Sequence, residues 1–334
     1  MSHHRKKYLS AGLAAVLCST TLVGLTMAQP AGGKNNLNLP GLRERPQTPN
    51  NTFTRMFPEL PPFAKPTDAV RQQAQKMGEK GGMCDAIDNL TDPIRSITEP
   101  NIFSPNNPDN PNMTAGMTFF GQFLDHDITL DPRSPLLAQS DPKKTTNFRT
   151  AAFDLDSMYG NGPTASPELY DRSSGEIKLR VERLPGAEAV SRNGAPRFDL
   201  PREDNNNAIL GDSRNDENVI ISQFHVAMLR FHNAVIDHLR KDPALATQSN
   251  EQIFTMAQRQ VRWHYQWIIL HEFLPLTIGQ TRVDDILRKG PEFYRVDEGD
   301  DGRRARRSKD PLIPIEFSVA AYRFGHSQIR PSYR

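Results

Sequence analysis

Two long amphipathic runs in the second half of the chain constrain its fold more than any other feature. From Glu217 to Arg240 apolar side chains recur every three to five residues, and a second run from Glu251 to Leu274 repeats the pattern. Apolar residues at this period form one face of an α-helix. We therefore expect two long helices, the second ended by Pro275, and a short helix that contains Met117 to Asp127.

Strand patterns are scarce by comparison. Apolar and polar residues alternate only in a short piece from Glu176 to Val181. The chain has 334 residues, 37% of them hydrophobic, so it can bury a large core, and no repeat of fixed period divides it. Dense charges of both signs from Asp297 to Asp310 predict a solvated loop. The sequence predicts an all-α, mainly helical fold with long irregular loops.

The N-terminal residues have the composition of a targeting segment. Basic residues up to Lys7 precede an apolar stretch from Leu9 to Leu25, and Ala28 is a small residue at a plausible cleavage site. Residues 1–28 are therefore predicted to be a signal peptide, with an uncleaved membrane anchor as the alternative. The mature chain would be secreted or extracytoplasmic, in the periplasm or cell envelope, without a stable membrane span, since no other segment looks apolar enough to cross one.

The proline and cysteine content constrains the chain after the leader. Residues 29–83 are rich in proline, which predicts an irregular N-terminal extension. After removal of the leader Cys84 is the remaining cysteine, so no internal disulfide is expected. Lys and Arg total 41 against 39 for Asp and Glu, and a net charge of +2 argues against nucleic acid as a partner.

The segment GQFLDHD places His126 between Asp125 and Asp127, with Gln122 one helical turn earlier. Three interpretations stay open from these residues alone. They could be a polar helix face with a hydrogen-bonded histidine, a divalent-metal site, or a histidine held by acids for proton transfer.

The next segment, RTAAFDLDSMYG, supplies oxygen atoms in a loop. Thr150, Asp154 and Asp156 are separated by four and two residues, with backbone carbonyls between them. Hard oxygen ligands suit Ca²⁺ better than Zn²⁺ or copper, although the pattern is not an EF-hand. A simple capping loop is the alternative.

The segment GDSRNDEN leads into the first long helix. Arg214 and Glu217 lie three residues apart, and on a helical first turn they would face a common ligand or form an ordinary ion pair. His225 and His232 share a face of that helix and are expected to be structural. Near the end of the chain, YRFGH places His326 close to Arg323, and a lone histidine there would also usually be structural.

These four segments, in this order, resemble the animal haem peroxidase family of the peroxidase/cyclooxygenase superfamily, which includes myeloperoxidase, peroxidasin and bacterial relatives. WHYQWIILHEFLPLTIG is similar to the family's helix that ends in a Leu-Pro step. The resemblance runs from about Cys84 to Arg334. It implies a haem peroxidase domain over residues 84–334 that is partial and lacks the family's C-terminal portion.

The resemblance implies haem b as cofactor, H₂O₂ as oxidant, and a small molecule or halide as electron donor. His126 would be the distal base, Arg214 would stabilise charge at the breaking O–O bond, and Gln122 would hydrogen-bond a distal water or small anion. His326 would bind the haem iron, and Arg323 would pair with a haem propionate.

Further roles are implied by the same resemblance. Asp125 and Glu217 match carboxylates that family members can esterify to haem. Asn218 stands where myeloperoxidase has a methionine linked to haem, so no sulfonium link is expected. Ca²⁺ would be bound by five residues: Asp127, Thr150, Ala152 through its carbonyl, Asp154 and Asp156.

Two other functions remain open. Fatty-acid oxygenases of the superfamily have a tyrosine three residues before the proximal histidine, where this chain has Arg323, with Tyr322 one residue further back. The second alternative function is that of a truncated, non-catalytic scaffold that serves as a binding module.

Overall fold

The structure, a computed structural model, describes residues 53–57, 60–79, 81–82, 112–134, 141, 144–191, 193–290, 292, 294, 297–298, 306–307, 312–329 and 333. The predicted signal peptide, Cys84 and most of the Asp297–Asp310 segment lie outside these residues, as does much of the predicted N-terminal extension.

Helices dominate the described residues, which confirms the all-α prediction. They are α1 (Asp68–Gly78), α2 (Ala115–Ile128), α3 (Asp156–Tyr159), α4 (Val219–Arg240), α5 (Asn250–Ile268), α6 (Leu274–Ile278), α7 (Gln280–Lys289) and α8 (Ile315–Val319). Two of the short 3-10 segments between them carry candidate site residues, Ser213–Asp216 and Ala321–Gln328. Helix α1 lies in the region expected to be irregular; its N-cap Thr67 accepts a hydrogen bond from Val70 N at 3.3 Å.

The core forms where α4 packs against α2 and α5. Phe120 and Phe123 of α2 make edge-to-face contacts with Tyr265 of α5, at centroid distances of 5.8 and 6.1 Å. Burial of one large apolar side chain contributes about 1.5–3 kcal/mol. This packing holds α2, which carries most of the candidate distal residues, in a fixed place.

Helix α4 begins two residues later than the periodicity predicts. The side-chain oxygen of Asn218 accepts hydrogen bonds from the N–H groups of Ile220 and Ile221, at 3.1 and 3.0 Å, and so caps the helix. Glu217 therefore precedes α4, and the expectation that it stands on the helix's first turn is wrong.

By length and composition α4 could also cross a membrane, which corrects the expectation that no segment after the leader is apolar enough. One face of α4 is nevertheless buried against α2 and α5, and that face includes polar residues such as His225 and His232. These are properties of the core helix of a globular domain.

The prediction that Pro275 ends the second long helix is wrong. Helix α5 passes into a π-helical turn, Ile269–Phe273, and the helical path continues through α6 to Ile278. Pro275 occupies the second position of α6, directly after the π-helical turn. Gly279, with φ 85°, ends the run.

Among the described residues, four short strands form two antiparallel pairs. β1 (Glu182–Arg183) pairs with β2 (Phe198–Asp199), and β3 (Asp297–Glu298) pairs with β4 (Arg306–Arg307) inside the segment expected to be a solvated loop. The expected strand from Glu176 to Val181 does not form, apart from an isolated bridge at Leu179. On the side of Leu179 away from that bridge, the Asn233 side chain binds both the N–H and the carbonyl of Leu179, each at 2.8 Å.

Candidate active site

Helix α2 directs three consecutive side chains to three different places, because neighbouring residues on a helix point about 100° apart. Asp125, His126 and Asp127 are all buried. Asp125 faces the C-terminal 3-10 segment, His126 faces the turn before α4, and Asp127 faces the loop before α3. The Asp-His-Asp triplet is therefore not a single cluster of ligands.

The imidazole of His126 is held by a residue that the sequence interpretation did not select. Nδ1 lies 2.8 Å from Oδ1 of the fully buried Asn215, and Nε2 lies 4.0 Å from Oε2 of Glu217. Burial, and next the positive charge of Arg214, lowers the pKa of His126 to about 4. The imidazole is therefore neutral at pH 7. The one indication in the sequence that Asn215 belongs to the site was its position between Arg214 and Glu217, which had been selected.

The guanidinium of Arg214 is fixed by a buried carboxylate. Nε and Nη2 donate to the two oxygens of Asp212 at 3.0 and 2.7 Å, and Nη2 also donates to the carbonyls of His126 and Thr129. Although burial opposes it, the charges of Arg214 and Arg149 hold the pKa of Asp212 well below its usual value. Arg214 is thus paired with Asp212 rather than with Glu217, and its charge lies beside α2.

Gln122 and Glu217 form the exposed edge of this site. Gln122 Nε2 donates to Glu217 Oε2 at 3.0 Å, and Asn218 Nδ2 approaches Gln122 Oε1 at 3.4 Å. The side chain of Glu217 is 51% exposed, and partial burial raises its pKa. Solvent or a ligand can therefore reach the site from the side that Glu217 occupies.

The C-terminal 3-10 segment packs directly on α2. Arg323 Nη1 donates to Asp125 Oδ2 at 2.8 Å, and the hydroxyl of Tyr322 donates to the carbonyl of Gly121 at 3.0 Å. On another side of α2, a Cβ at Gly121 would lie 3.1 Å from the ring of Phe273, so glycine lets the π-helical turn pack closely there. The segment that carries His326 is thereby joined to the helix that carries His126.

His326 itself is exposed. Its Nδ1 lies 3.0 Å from the carbonyl oxygen of Arg323. Because a carbonyl only accepts hydrogen bonds, the proton is on Nδ1 and the lone pair is on Nε2. Metal-binding histidines commonly have this arrangement, in which the second nitrogen donates to a carbonyl.

The loop before α3 brings the predicted calcium ligands together. Carboxylate oxygens of Asp127, Asp154 and Asp156 lie within 4.8 Å of one another. Thr150 Oγ1 donates to Asp154 Oδ1 at 2.9 Å, and the carbonyl of Ala152 accepts from Asp154 N at 2.9 Å. Burial, reinforced by the two other carboxylates, raises the pKa of Asp127 well above its usual value.

Arg149 connects this acidic loop to the distal turn. Its Nε donates to Asp212 at 3.0 Å, and its Nη1 lies 3.6 Å from Oδ1 of Asp156. Asp212 therefore holds Arg149 on one side and Arg214 on the other. The sequence interpretation missed Arg149 and Asp212, although both stand inside the segments it quoted.

Gly211 allows the two loops to touch. A Cβ at this position would lie 2.5 Å from the carbonyl oxygen of Ser157, which is closer than any side chain can approach. The backbone before Asp212 thus rests against the backbone of α3, with no space for a larger residue.

Two of the histidines on α4, His225 and His232, are buried in the core, where structural residues are expected. His232 is fully buried, with Nδ1 3.0 Å from the hydroxyl of Tyr159 and Nε2 2.9 Å from the carbonyl of Ile177. His225 is buried beside the ring of Phe123, at a centroid distance of 5.8 Å.

Comparison with known proteins decides the family. The family model for animal haem peroxidase matches residues 133–334, which is more than half of the chain. The chain belongs to the animal haem peroxidase family. The match contains Arg214, Glu217 and His326, whereas Gln122 and His126 precede it.

Curated relatives agree with this assignment. The chain is 27% identical over 289 residues to a peroxidase-like protein of Margaritifera margaritifera, covering 71% of the chain and 34% of the relative. It is 29% identical over 213 residues to human thyroid peroxidase, covering 59% and 21%. It is 26% identical over 196 residues to peroxidasin of Drosophila melanogaster, covering 57% and 12%. The chain spans about a third or less of the length of these relatives.

Proposed function

We propose that this chain is a haem-dependent peroxidase that reduces H₂O₂ and oxidises a small donor molecule or a halide. Family membership supports the peroxidase class. The observation that carries the proposed proton-transfer role is the buried His126, whose Nδ1 is bonded to Asn215 Oδ1 and whose Nε2 lies toward the accessible side formed by Gln122 and Glu217. A neutral imidazole with its lone pair on Nε2 can take a proton from H₂O₂ and return it to the leaving oxygen.

Arg214 would act through its charge. The two oxygens of Asp212 restrain its guanidinium, so its position does not need to reorganise while charge develops at the O–O bond. Gln122 would hydrogen-bond a water molecule or small anion beside His126, in exchange for its present bond to Glu217.

The residues present fit a haem. His326 offers Nε2 from an exposed imidazole whose Nδ1 is already hydrogen-bonded. Arg323 bonds Asp125 through Nη1 and the Ser318 carbonyl through Nε, and its Nη2 would be available to a propionate. When bound, haem b would supply the iron and the redox chemistry, and the protein would supply binding, orientation and electrostatics.

Of the two carboxylates matched to ester links, Glu217 is the more accessible. Both oxygens of Asp125 are hydrogen-bonded, one to Thr129 Oγ1 at 2.9 Å and one to Arg323 at 2.8 Å, and its side chain is nearly inaccessible. An ester at Asp125 would require one of these bonds to be given up. An ester at Glu217 would displace only the bond from Gln122.

We also propose that the cluster of Asp127, Asp154, Asp156, Thr150 and the Ala152 carbonyl binds Ca²⁺. Three carboxylates held this close repel one another, and a divalent cation with oxygen ligands would neutralise them. Because Asp127 directly follows His126 on α2, the ion would help to fix the distal histidine.

The deciding experiment is an absorption spectrum of the full chain with haem and Ca²⁺, compared with His326→Ala. We expect a Soret band that is lost in this variant and retained in His264→Ala, which removes another exposed imidazole bonded through Nδ1 to a backbone carbonyl. A folded protein without a Soret band would overturn the proposal and favour the non-catalytic binding module.

The fatty-acid oxygenase is less well supported. Such a reaction would use Tyr322 as a radical, yet its hydroxyl donates to a backbone carbonyl and burial raises its pKa. A carbonyl is not a base that can take the phenolic proton. We expect Tyr322→Phe to keep peroxidase activity, and no oxygen uptake with an unsaturated fatty acid.

We also propose that the chain is exported from the cytoplasm. A secreted or extracytoplasmic location would be supported by a mature N-terminus near Gln29, read by mass spectrometry from the extracytoplasmic fraction, and contradicted by an intact Met1 in the cytoplasm.

A further inference from the structure

We propose that Asn215 is a positioning residue that keeps the proton of His126 on Nδ1 and leaves Nε2 free to accept one. This inference rests on the proposed peroxidase function, because that function gives Nε2 its task. Its structural content, the tautomer of one histidine, can be tested without any substrate.

The first support is the contact itself. Asn215 Oδ1 lies 2.8 Å from His126 Nδ1, and both side chains are buried. An amide oxygen carries no hydrogen, so the imidazole is the donor in this bond. Neutral imidazole has one N–H, and a proton on Nδ1 leaves the lone pair on Nε2.

The second support is a competing partner on the opposite side of the ring. The carboxylate of Glu217 lies 4.0 Å from His126 Nε2. Without Asn215, a small rotation would let a protonated Nε2 donate to Glu217. The imidazole would then present a proton where the proposed reaction needs a lone pair. Asn215 therefore selects between two tautomers, of which Glu217 favours the unproductive one.

The third support is the rigidity of the turn that holds Asn215. Its N–H donates to the carbonyl of Asp212 at 3.0 Å, and the Asp212 side chain accepts from Arg214 N at 3.0 Å. Gly211 rests against the backbone of Ser157. The amide thus has a fixed position relative to α2.

The fourth support is a feature unfavourable to the fold. Asn215 Nδ2 is buried and has no hydrogen-bond partner among the described residues. A buried, unpaired donor destabilises a protein, so an apolar residue would serve better if the position only filled space. A role for Oδ1 explains why an amide is present.

The test uses the full chain labelled with ¹⁵N-histidine, in which the shifts of the two ring nitrogens identify the tautomer. The His126→Gln variant assigns the signals. We expect the Nδ1–H form in the unsubstituted protein, a shift to the Nε2–H form in Asn215→Leu, and the Nδ1–H form again in Asn215→Asp, which keeps an acceptor oxygen. Asn207→Leu, at an exposed asparagine, is the matched control and should change nothing.

Activity gives a second readout. With haem bound, kcat/KM for H₂O₂ should fall about 10- to 100-fold in Asn215→Leu, a fraction of the usual contribution of proton transfer, while the Soret band stays unchanged. Asn215→Asp should recover part of the loss.

The outcomes separate the two proposals. An Nε2–H tautomer in the unsubstituted protein, or an unchanged tautomer in Asn215→Leu, overturns the role of Asn215 whether or not haem binds. The expected tautomers in a protein that shows no Soret band would leave the positioning by Asn215 intact and overturn the peroxidase function.

Discussion

Nη1 of Arg323 lies 2.8 Å from Oδ2 of Asp125, and this ion pair joins segments that are 198 residues apart in the chain. Arg323 is 41% exposed and Asp125 is almost fully buried. The pair is the direct electrostatic connection between the segment of the candidate proximal histidine and the helix of the candidate distal histidine.

Arg323→Gln should therefore loosen the C-terminal segment. We expect faster amide hydrogen exchange across residues 321–328 and a modest loss of global stability, about 1 kcal/mol or less, since solvent screens the charge of the exposed Arg323. Arg288→Gln, which removes a more exposed partner of Asp285, serves as control. Unchanged exchange in residues 321–328 would show that the ion pair does not hold the segment.

Divalent calcium should stabilise the chain. At a hundredfold excess over the dissociation constant, one site contributes about 2.7 kcal/mol, which corresponds to a Tm increase of roughly 5–10 °C for a domain of this size. Thermal unfolding in Ca²⁺ and in EDTA would measure this difference. Asp127→Asn should abolish it, and Asp204→Asn, at an exposed carboxylate, should preserve it. A full Ca²⁺ effect in Asp127→Asn would place the ion elsewhere.

Gly211→Ala should be among the more harmful small substitutions. The added Cβ would meet the Ser157 carbonyl at 2.5 Å, and both partners are backbone atoms with little freedom to move. Overpacking of this kind lowers the free energy of unfolding by about 1–3 kcal/mol. Urea denaturation would measure it, with Gly78→Ala as control because nothing lies within 4 Å of a Cβ there. Equal stability of the two variants would contradict the described contact.

Stability should fall as the pH drops from about 6.5 toward 4. Burial lowers the pKa of His232 to about 4, whereas in the unfolded chain it is near 6.5. In that window the unfolded state binds more protons, so the contribution of this histidine is complete above pH 6.5 and is lost below it. At pH 5 the loss from one such histidine is roughly 2 kcal/mol.

Urea denaturation at pH 7 and pH 5 would test this linkage. His232→Gln should show a smaller decrease between the two pH values than the unsubstituted chain, whatever its absolute stability. His238→Gln, at an exposed histidine, should keep the full decrease. An identical decrease in His232→Gln would mean that the pKa of His232 is the same in the folded and unfolded states.

The parts of the fold that the sequence predicted are those set by local periodicity. Val219–Arg240 and Ala115–Ile128 were recognisable because one face of each is apolar. Helix continuity through Pro275 was not predictable, because it depends on a π-helical turn, a rare element that a regular 3.6-residue period does not predict. The bonding of the Leu179 backbone by Asn233, a side chain from a distant helix, was not predictable either.

The candidate site also contains residues that the sequence predicted and residues that it did not. The residues with expected roles stood in recognisable motifs, and the structure brings Gln122, His126, Arg214 and Glu217 around one edge of α2. Asn215, Asp212 and Arg149 support these side chains through contacts between residues 2 to 89 positions apart in the chain. Such partners have ordinary residue types, and only the folded chain shows which groups they hold.

The three directions taken by Asp125, His126 and Asp127 have a consequence for how α2 can change over evolutionary time. Each of these neighbours is held by a different part of the chain: Arg323, Asn215, and the N–H of Leu155. Insertion or deletion of one residue within α2 would rotate all three by about 100° and break every attachment at once. Three contacts from different parts of the chain therefore fix the register of this helix. We expect sequence variation in α2 to consist of substitutions that leave its length unchanged.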